Sequence, residues 1–596
     1  MEGQVRERWG ITEPVSKLMP DEKDLEVHRQ LIEELKRQNN FESQEATDRR
    51  VKALNLFQKV TEDFVRIVGK AKGLSQSAVD SAGGKIFTFG SYRLGVYGPG
   101  SDIDTLVVAP RHVTFKDFFE YFPPCLEKHS KPGDIEELTP VPDAHVPIIK
   151  IEYCGISIDL IFAALPSASI KLSLELTEKN ILRGLDETMM RSVNGTRVTD
   201  ELLQLIPQAK TFRHATRAIK LWAQRRGIYG NVFGFPGGVA WAMMVARICQ
   251  LYPYACGATI AVKFFSIYAE WPWPRPVLLK AVEDGALGLK VWNPQIYRGD
   301  KQHLMPIITP AFPSMCATHN VTHSTKSVIT KELERGRSLA GLIYTGKKSW
   351  HDLFERHTFF TKDYKYYLSI ISASTTKEEQ NMWSGWVQSR LRLLVKGIDE
   401  SDSGVEVAHP YYKATERFHR CKTQAEKDRV LSGSVEFVVK EDKKTTDEKD
   451  PSKPTNGDDS NDAESITIYT NTHYIGLKLR EGMYSSIPAR RLATHNTVNT
   501  EGAKKLDISF PVSDFKRLVT SGTNYDEDKN AIRVVHTRSY DLPLDLFEEG
   551  EVRPVKVKKV KAKPVKRSFA DTGIDDTQSN SSKRRSTNGG PTPTPS

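Results

Sequence analysis

Cysteine is scarce in this chain: six residues among 596, none of them in a C-x-x-C pair. That scatter argues against a zinc site or a disulfide framework and suits a reducing compartment. Long apolar runs are also missing. The opening MEGQVRERWG is charged and lacks an apolar core, so no secretory leader is expected. The most apolar stretch, GGVAWAMMVARICQLYPYACGATIAV, is interrupted by Arg247, Gln250 and Pro253, which predicts a buried helix pair rather than a membrane span. No G-x-x-x-x-G-K-[ST] loop occurs, which excludes a P-loop nucleotide site, and no internal repeat is present.

What is present is a chain too long for one core, with three or four domains expected. Hydrophobic residues make up 39% and charged residues 27%, as in a soluble globular protein, and the net charge of +10 suits a polyanionic partner. Apolar residues three and four apart predict helices over 21–80. From 85 to 165 the period changes to strands in GKIFTFG, DIDTLVVAP and VPIIKIEYCGISIDLIFA, several apolar on both faces, as in a covered sheet. Residues 207–356 return to helix with Pro- and Trp-rich breaks. Beyond 357 the segments SVEFVVK, SITIYTNTHYIGLKL, LDISFPV and AIRVVHT alternate as strands do. Residues 441–465 contain no aromatic or large aliphatic side chain beyond the flanks and predict a disordered insert, and the Lys/Arg-, Ser- and Pro-rich end predicts a disordered tail.

The chemistry concentrates in FGSYRLGVYGPGSDID, residues 89–104. On the strand SDIDTLVVAP, Asp102 and Asp104 project from one face while Ile103 faces away. A later strand carries Asp159 between Ile158 and Leu160, where a lone carboxylate is costly unless it meets a cation. Three acids on neighbouring strands could hold two Mg²⁺ ions. A surface turn for D-x-D and a paired structural role for Asp159 are the bland alternatives. Gly90 and Ser91 follow a strand and precede a helical turn, where free backbone N–H groups and the Ser91 hydroxyl would bind phosphate oxygens.

The pattern G-S-x(10)-D-x-D followed by a third aspartate resembles the DNA polymerase β-type nucleotidyltransferase superfamily. Within it, GGKIFTFGSYRLGVYGPGSDIDTLVVAP, PIIKIEYCGISIDLI, SVNGTRVTDELL, RAIKLWAQRRGIYGNVFGFPGGVAWAMMVARICQLYP and PSMCATHNVT resemble the eukaryotic nuclear-type poly(A) polymerase family. The resemblance runs almost continuously from about residue 10 to 400 and more loosely to 546. It implies that Asp102, Asp104 and Asp159 are the catalytic metal ligands. It also implies that Phe89, Gly90, Ser91, Ile103, Lys220, Tyr229, Asn231, Gly238 and Val239 line the ATP site, Lys220 and Tyr229 at the triphosphate. Lys150, Asn194 and Met315 match positions touching RNA.

The implied fold is multidomain α+β. An N-terminal segment, 1–20, packs on the middle domain. A nucleotidyltransferase palm (mixed sheet with helices) spans 21–206, a helical middle domain 207–356, and an RNA-recognition-like α/β sandwich 357–546, followed by a basic tail, 547–596. That third domain lacks an aromatic RNP1 string, although basic and aromatic residues interleave in RHTFFTKDYKYY and YYKATERFHR, as contacts to a single strand or as packed faces. The resemblance implies template-independent transfer of AMP from ATP to an RNA 3′ end. The cofactor would be Mg²⁺ with Mn²⁺ as substitute, two ions per site. The expected setting is a monomeric catalytic subunit working in the nucleus with a cleavage and polyadenylation factor complex, and with no membrane. A terminal uridylyltransferase and an inactive RNA-binding scaffold are the alternatives, and the intact acid triad speaks against the second.

Overall fold

The computed structural model describes residues 9–142, 144, 146–283, 287–439, 466–480, 506–522 and 525–556. The insert 441–465, the basic clusters beyond 556 and most of the expected tail lie outside the described residues. The chain divides into residues 1–554 and 555–596, and the account below concerns the first unit.

Three helices lead into the first sheet: α1 (Glu22–Arg37), α2 (Gln44–Ala71) and α3 (Gln76–Ala82). A capping box between Asp21 and Asp24 starts α1, and the Ser43 side chain accepts the Ala46 N–H at the start of α2. Then follow β1 (Lys85–Thr88), the short α4 (Gly90–Leu94), β2 (Ile103–Pro110) and α5 (Phe115–His129). The sheet is completed by β3 (Ile135–Val141), β4 (Ile148–Tyr153) and β5 (Ile156–Leu165), in the order β1-β2-β5-β4-β3. Only β2 and β5 pair in parallel; the other neighbours are antiparallel. Ile103, Val107, Ile158 and Leu160 face α2 and α5, packing against Phe64, Phe118 and Phe122. Leu106, Val108, Ile161 and Ala163 point to the other face, under Val193 of α6 (Glu187–Gln204). Asp104 and Asp159 share the parity of this second face.

The middle region holds α7 (Ala209–Arg225), α8 (Gly238–Leu251), α9 (Gly257–Ala269), α10 (Arg298–Lys301), α11 (His323–Tyr344) and α12 (Trp350–Leu353). The pair α8 and α9 is the apolar stretch of the sequence. Arg247 donates to Thr12 Oγ1 at 2.6 Å, and Gln250 Nε2 lies 3.2 Å from the Trp9 carbonyl. The Val15 N–H donates to Leu251 O at 2.8 Å, so residues 9–16 run along the end of α8. No helix among the described residues is long and apolar enough to cross a membrane.

The third region is a second sheet flanked by helices. It contains β6 (Tyr366–Ser374), α13 (Lys377–Gln388), α14 (Leu391–Glu400), β7 (Val405–Pro410), β8 (Thr415–Cys421), α15 (Gln424–Leu431), β9 (Ile466–Leu479), α16 (Ser509–Thr520) and β10 (Asn530–Arg538). Strand order is β10-β6-β9-β7, and the long β9 also pairs with β8. Its core is continuous with that of the middle region: Leu368, Trp383, Leu394 and Ile475 join the cluster of Trp222, Trp241 and Phe265.

Two strand expectations fail here. LDISFPV enters α16, because Pro511, Phe515 and Val519 recur every four residues on a buried face and proline is tolerated in a first turn. SVEFVVK forms no strand among the described residues; Val438 makes one isolated bridge to His419. The tail also begins later than residue 547. Arg356 pairs with Glu548 at 2.7 Å and Glu551 at 3.2 Å, and Arg553 donates to Leu542 O at 3.1 Å, so these residues are held by ionic and backbone contacts.

Arg197 ties α6 of the palm to the middle region. Buried, it donates to the carbonyls of Leu176, Glu178 (2.9 Å) and Phe312 (3.1 Å). Arg197→Met strands these acceptors while keeping the volume, so unfolding in urea should show a loss of about 2–3 kcal/mol.

Candidate active site

The site begins with a register. In the parallel β2/β5 pair Asp104 lies opposite Asp159, and across the antiparallel β5/β4 pair Asp159 lies opposite Lys150. Asp102 precedes β2 on the same face. The three carboxylates approach so that one oxygen from each lies within 4.8 Å of the others. Among the described residues, none of the three has an ion-pair partner within 4.0 Å or a side-chain hydrogen bond, although other acids of the palm do, such as Asp117 with Lys72 at 2.5 Å. Burial first, then Asp102 and Asp159, push the Asp104 carboxyl up to about 7. Asp159 is also raised, chiefly by burial and partly offset by Lys150. Carboxylate oxygens gathered on one face without a salt bridge are the donor set a hard divalent cation prefers.

Two cavities meet at this cluster. One, of about 440 Å³, is lined by Phe89, Gly90, Ser91, Asp102, Asp104, Asn194, Lys220, Tyr229, Gly238 and Val239. The second, of about 550 Å³, brings Lys150 and Asp159 together with Asp102, Lys220 and Tyr229. The shared residues thus sit between the two. Lys220 comes from α7; burial lowers its pKa, and Asp102 and Asp104 draw it back up. Tyr229 is pushed up to about 12, first by burial and then by the same two acids, so its phenol remains a hydrogen-bond donor at neutral pH.

Backbone geometry explains two of the glycines. Gly90 has φ +62°, and a Cβ there would run into the Asp104 carboxylate. At Gly238, the first residue of α8, a Cβ would lie 2.6 Å from the Tyr229 hydroxyl. Both positions must be bare for a functional side chain to occupy its place.

The phosphate cradle differs from the sequence expectation. The Gly90 N–H donates to Thr199 Oγ1 at 3.3 Å and the Phe89 N–H to Asp104 O at 3.0 Å, so neither is free. The Ser91 hydroxyl, which makes no side-chain hydrogen bond among the described residues, is one donor left at that turn, beside the Ser91 and Tyr92 N–H groups in the first turn of α4. Ile103 has its side chain fully buried on the opposite face, so only its backbone faces the site. Asn231 and Met315 line neither cavity. Asn231 sits in the loop after Tyr229, with its Oδ1 buried and unpartnered. Met315 is 43% exposed, and its backbone exchanges two 2.9 Å hydrogen bonds with Thr309, which does line the first cavity.

Sequence reasoning missed Gly195, Val198 and Thr199. They fall one, four and five residues after Asn194 on α6, so the helical period was a usable signal once Asn194 was placed. Thr216 was also missed; its Oγ1 is buried without a partner one turn before Lys220. Part of the two aromatic strings of the third region is turned inward, while Tyr364, Tyr366, Tyr412 and Phe418 stay partly exposed. Phe359 stacks on Tyr411 at 4.9 Å, Phe360 meets Tyr474 edge-on at 5.4 Å, and the Tyr367 hydroxyl donates to Phe359 O at 2.6 Å, all within one buried cluster.

Comparison with known proteins covers nearly the whole chain. Residues 10–206 match the poly(A) polymerase nucleotidyltransferase domain, 211–356 the poly(A) polymerase central domain, and 358–556 the poly(A) polymerase predicted RNA binding domain. The chain is 48% identical to poly(A) polymerase PAPalpha of Candida albicans over 559 residues, 94% of this chain and 95% of that protein. It is 45% identical to poly(A) polymerase pla1 of Schizosaccharomyces pombe over 575 residues, 95% and 97% of the two chains. Solved structures of the RNA terminal uridylyl transferase Cid1 are more distant, for example 15% identical with a TM-score of 0.37, covering 56% of this chain and 99% of that one.

Two outcomes follow from the geometry. Gly90→Ala forces the Asp104 carboxylate aside, so calorimetric titration should show divalent-cation affinity reduced at least about tenfold, one ligand's worth of binding energy. The second concerns pH. With Asp104 raised from 3.8 to about 7, the native metal-free protein binds more protons than the unfolded chain across that window, so its stability falls as pH rises through it. A divalent cation must displace that proton. Its stabilisation in a thermal-shift assay should therefore be larger at pH 8 than at pH 6, and Asp104→Asn should abolish the difference.

Proposed function

The chain belongs to the poly(A) polymerase family of nucleotidyltransferases, and on that premise we propose how its own residues add AMP from ATP to an RNA 3′ end. The supporting observation is the triad of Asp102, Asp104 and Asp159, three carboxylates within 4.8 Å of one another that lack a cationic partner. They would hold two Mg²⁺ ions, with Mn²⁺ as substitute. When bound, such ions activate an attacking hydroxyl and stabilise charge on the transferring phosphoryl group and the leaving oxygen.

The remaining steps belong to side chains. The triphosphate occupies the first cavity, where the Ser91 hydroxyl and the Tyr229 phenol donate to its oxygens and Lys220 offsets their charge. Gly238 and Val239 border it at the start of α8, and Asn231 meets the base. The RNA end enters the second cavity, where Lys150 neutralises a phosphate beside Asp159 and Asn194 reaches the 3′ nucleotide across the shared wall. The 3′-oxygen attacks the α-phosphorus, its proton leaves towards Asp159, and the bond to the β-phosphate oxygen breaks to release pyrophosphate. Lys220 and Tyr229, lining both cavities, keep contact with the phosphates as charge moves to the leaving group.

The proposed setting is the nucleus, as a monomeric catalytic subunit recruited by a cleavage and polyadenylation factor complex. Family membership supports this, as do eight basic residues without an acid between Arg553 and Arg567.

A 5′-labelled RNA incubated with Mg²⁺ and each nucleoside triphosphate separately tests the reading. ATP should produce a ladder and the other three far less; extension with UTP as fast as with ATP would reassign the chain to uridylyl transfer. Asp104→Asn and Asp159→Asn should each slow AMP addition roughly 10²–10⁴-fold, with the circular dichroism spectrum unchanged.

A further inference from the structure

A third cavity, of about 650 Å³, lies where the middle region meets the third, away from the acid triad. Its walls come from α10 and the residues after it, from the start of α11, and from α14. Three cations face it: Lys301, Arg392 and Lys396. Of its two acids, Asp399 is engaged, accepting the Ser324 N–H at 2.9 Å and the Ser324 hydroxyl, while Glu400 lies 3.7 Å from Lys396. Among the described residues, Lys301 and Arg392 have no carboxylate partner within 4.0 Å. Arg392 is half-buried, and its side-chain hydrogen bond goes to the Ser389 carbonyl, which offsets none of its charge. Around them stand further hydrogen-bonding side chains. His303 accepts the Trp292 indole N–H on Nδ1 at 3.1 Å, which leaves Nε2–H as its donor. His319, His323, Gln302 and Asn320 complete the rim.

A half-buried guanidinium without an anion, in an open cavity rimmed by hydrogen-bond donors, is a site waiting for phosphate oxygen. Its position also matters. Asn320 donates from Nδ2 to the Asn231 carbonyl at 3.2 Å, so one residue of the cavity wall braces the loop that follows Tyr229. The cavity and the catalytic cavities are thus neighbours through a single side chain.

We propose that this cavity is an RNA-backbone subsite that holds phosphodiester groups upstream of the reacting 3′ end, with Lys301, Arg392 and Lys396 as the cations and His303 and His319 as hydrogen-bonding walls. The proposal rests on the poly(A) polymerase reading, because the enzyme's own substrate is then a polyanion that must continue past the catalytic cavities. It goes beyond that reading by assigning the continuation to the junction of the second and third regions rather than to the aromatic strings, whose Phe359, Phe360, Tyr367 and Tyr411 are buried.

The test uses the full chain and a series of oligo(A) primers from about three to about twenty nucleotides. Arg392→Gln combined with Lys396→Gln should weaken binding of the longer primers about five- to tenfold. The slope of log Kd against log salt should shrink by about one, since each phosphate contact on a single strand contributes roughly 0.7. The penalty should vanish below a threshold length, and the KM for ATP should hold. Lys301→Gln, on the opposite wall, should reproduce the length dependence at smaller size and guards against a local folding defect in α14. An equal penalty at every length would mean that these residues act through Asn320 and the Asn231 loop, which overturns the subsite. Unchanged RNA binding at all lengths would also overturn it and leave the cavity to an acidic polypeptide. Failure of the wild-type chain to extend any primer would instead count against the catalytic reading, so the two can fail separately.

Discussion

Three carboxylates crowded within 4.8 Å on the interior strands of an apolar sheet repel one another, and much of the palm is arranged to hold them together nonetheless. The parallel pairing of β2 with β5 sets Asp104 opposite Asp159, and that register is locked because a slip of one residue would bring Ile103 and Ile158 out of the core. The antiparallel neighbour β4 then delivers Lys150 to Asp159. Gly90 yields its space to Asp104, and Thr199 takes the Gly90 N–H so that the turn holds its left-handed conformation. Burial first, and then the two neighbouring acids, raise the carboxyl of Asp104, and a bound cation would offset both.

The third region contributes to the site by support rather than by contact. The loop from Tyr229 to Phe235 rests on it. Phe233 packs against His473 at 6.1 Å, and Phe235 meets His409 edge-on at 5.6 Å. Burial holds His409 down to about 3 and His473 to about 4, so both are neutral rings, apolar enough to serve as packing partners. Ser324 joins the same junction, donating to Asp399 and accepting the Ala408 N–H at 2.7 Å. Middle and third regions therefore share one core and one set of buried hydrogen bonds, and the loop after Tyr229 packs on that joint.

Much of this was legible in residue spacing. The helices over 22–82, the strand pair bearing the acids and the buried pair α8 and α9 follow from period and length. The acids themselves stood out because carboxylates do not belong between isoleucines. Other features were illegible for definite reasons. LDISFPV alternates over seven residues, yet its first four-residue repeat falls later, at Phe515 and Val519, so a short window favoured the wrong period. The aromatic strings around 360 and 411 have the composition of a nucleic-acid surface; which side of a sheet they face is set by β6 and β9, about a hundred residues apart in the chain.

Taken alone, the sequence determined the residue types of the site, the local elements that carry them, and the family in which that order of motifs occurs. Those properties depend on neighbours a few positions away, through dihedral preference and hydrophobic period. Tertiary structure decided which N–H groups remain free, which aromatics are covered, and where unpaired cations gather. Each of these is a question of what a group meets across space. The Gly90 N–H is taken by a threonine 109 positions later, and the third cavity is closed by helices that start 25 residues before and 68 residues after His323. Burial and pairing are sums over such distant partners, and no local pattern contains them.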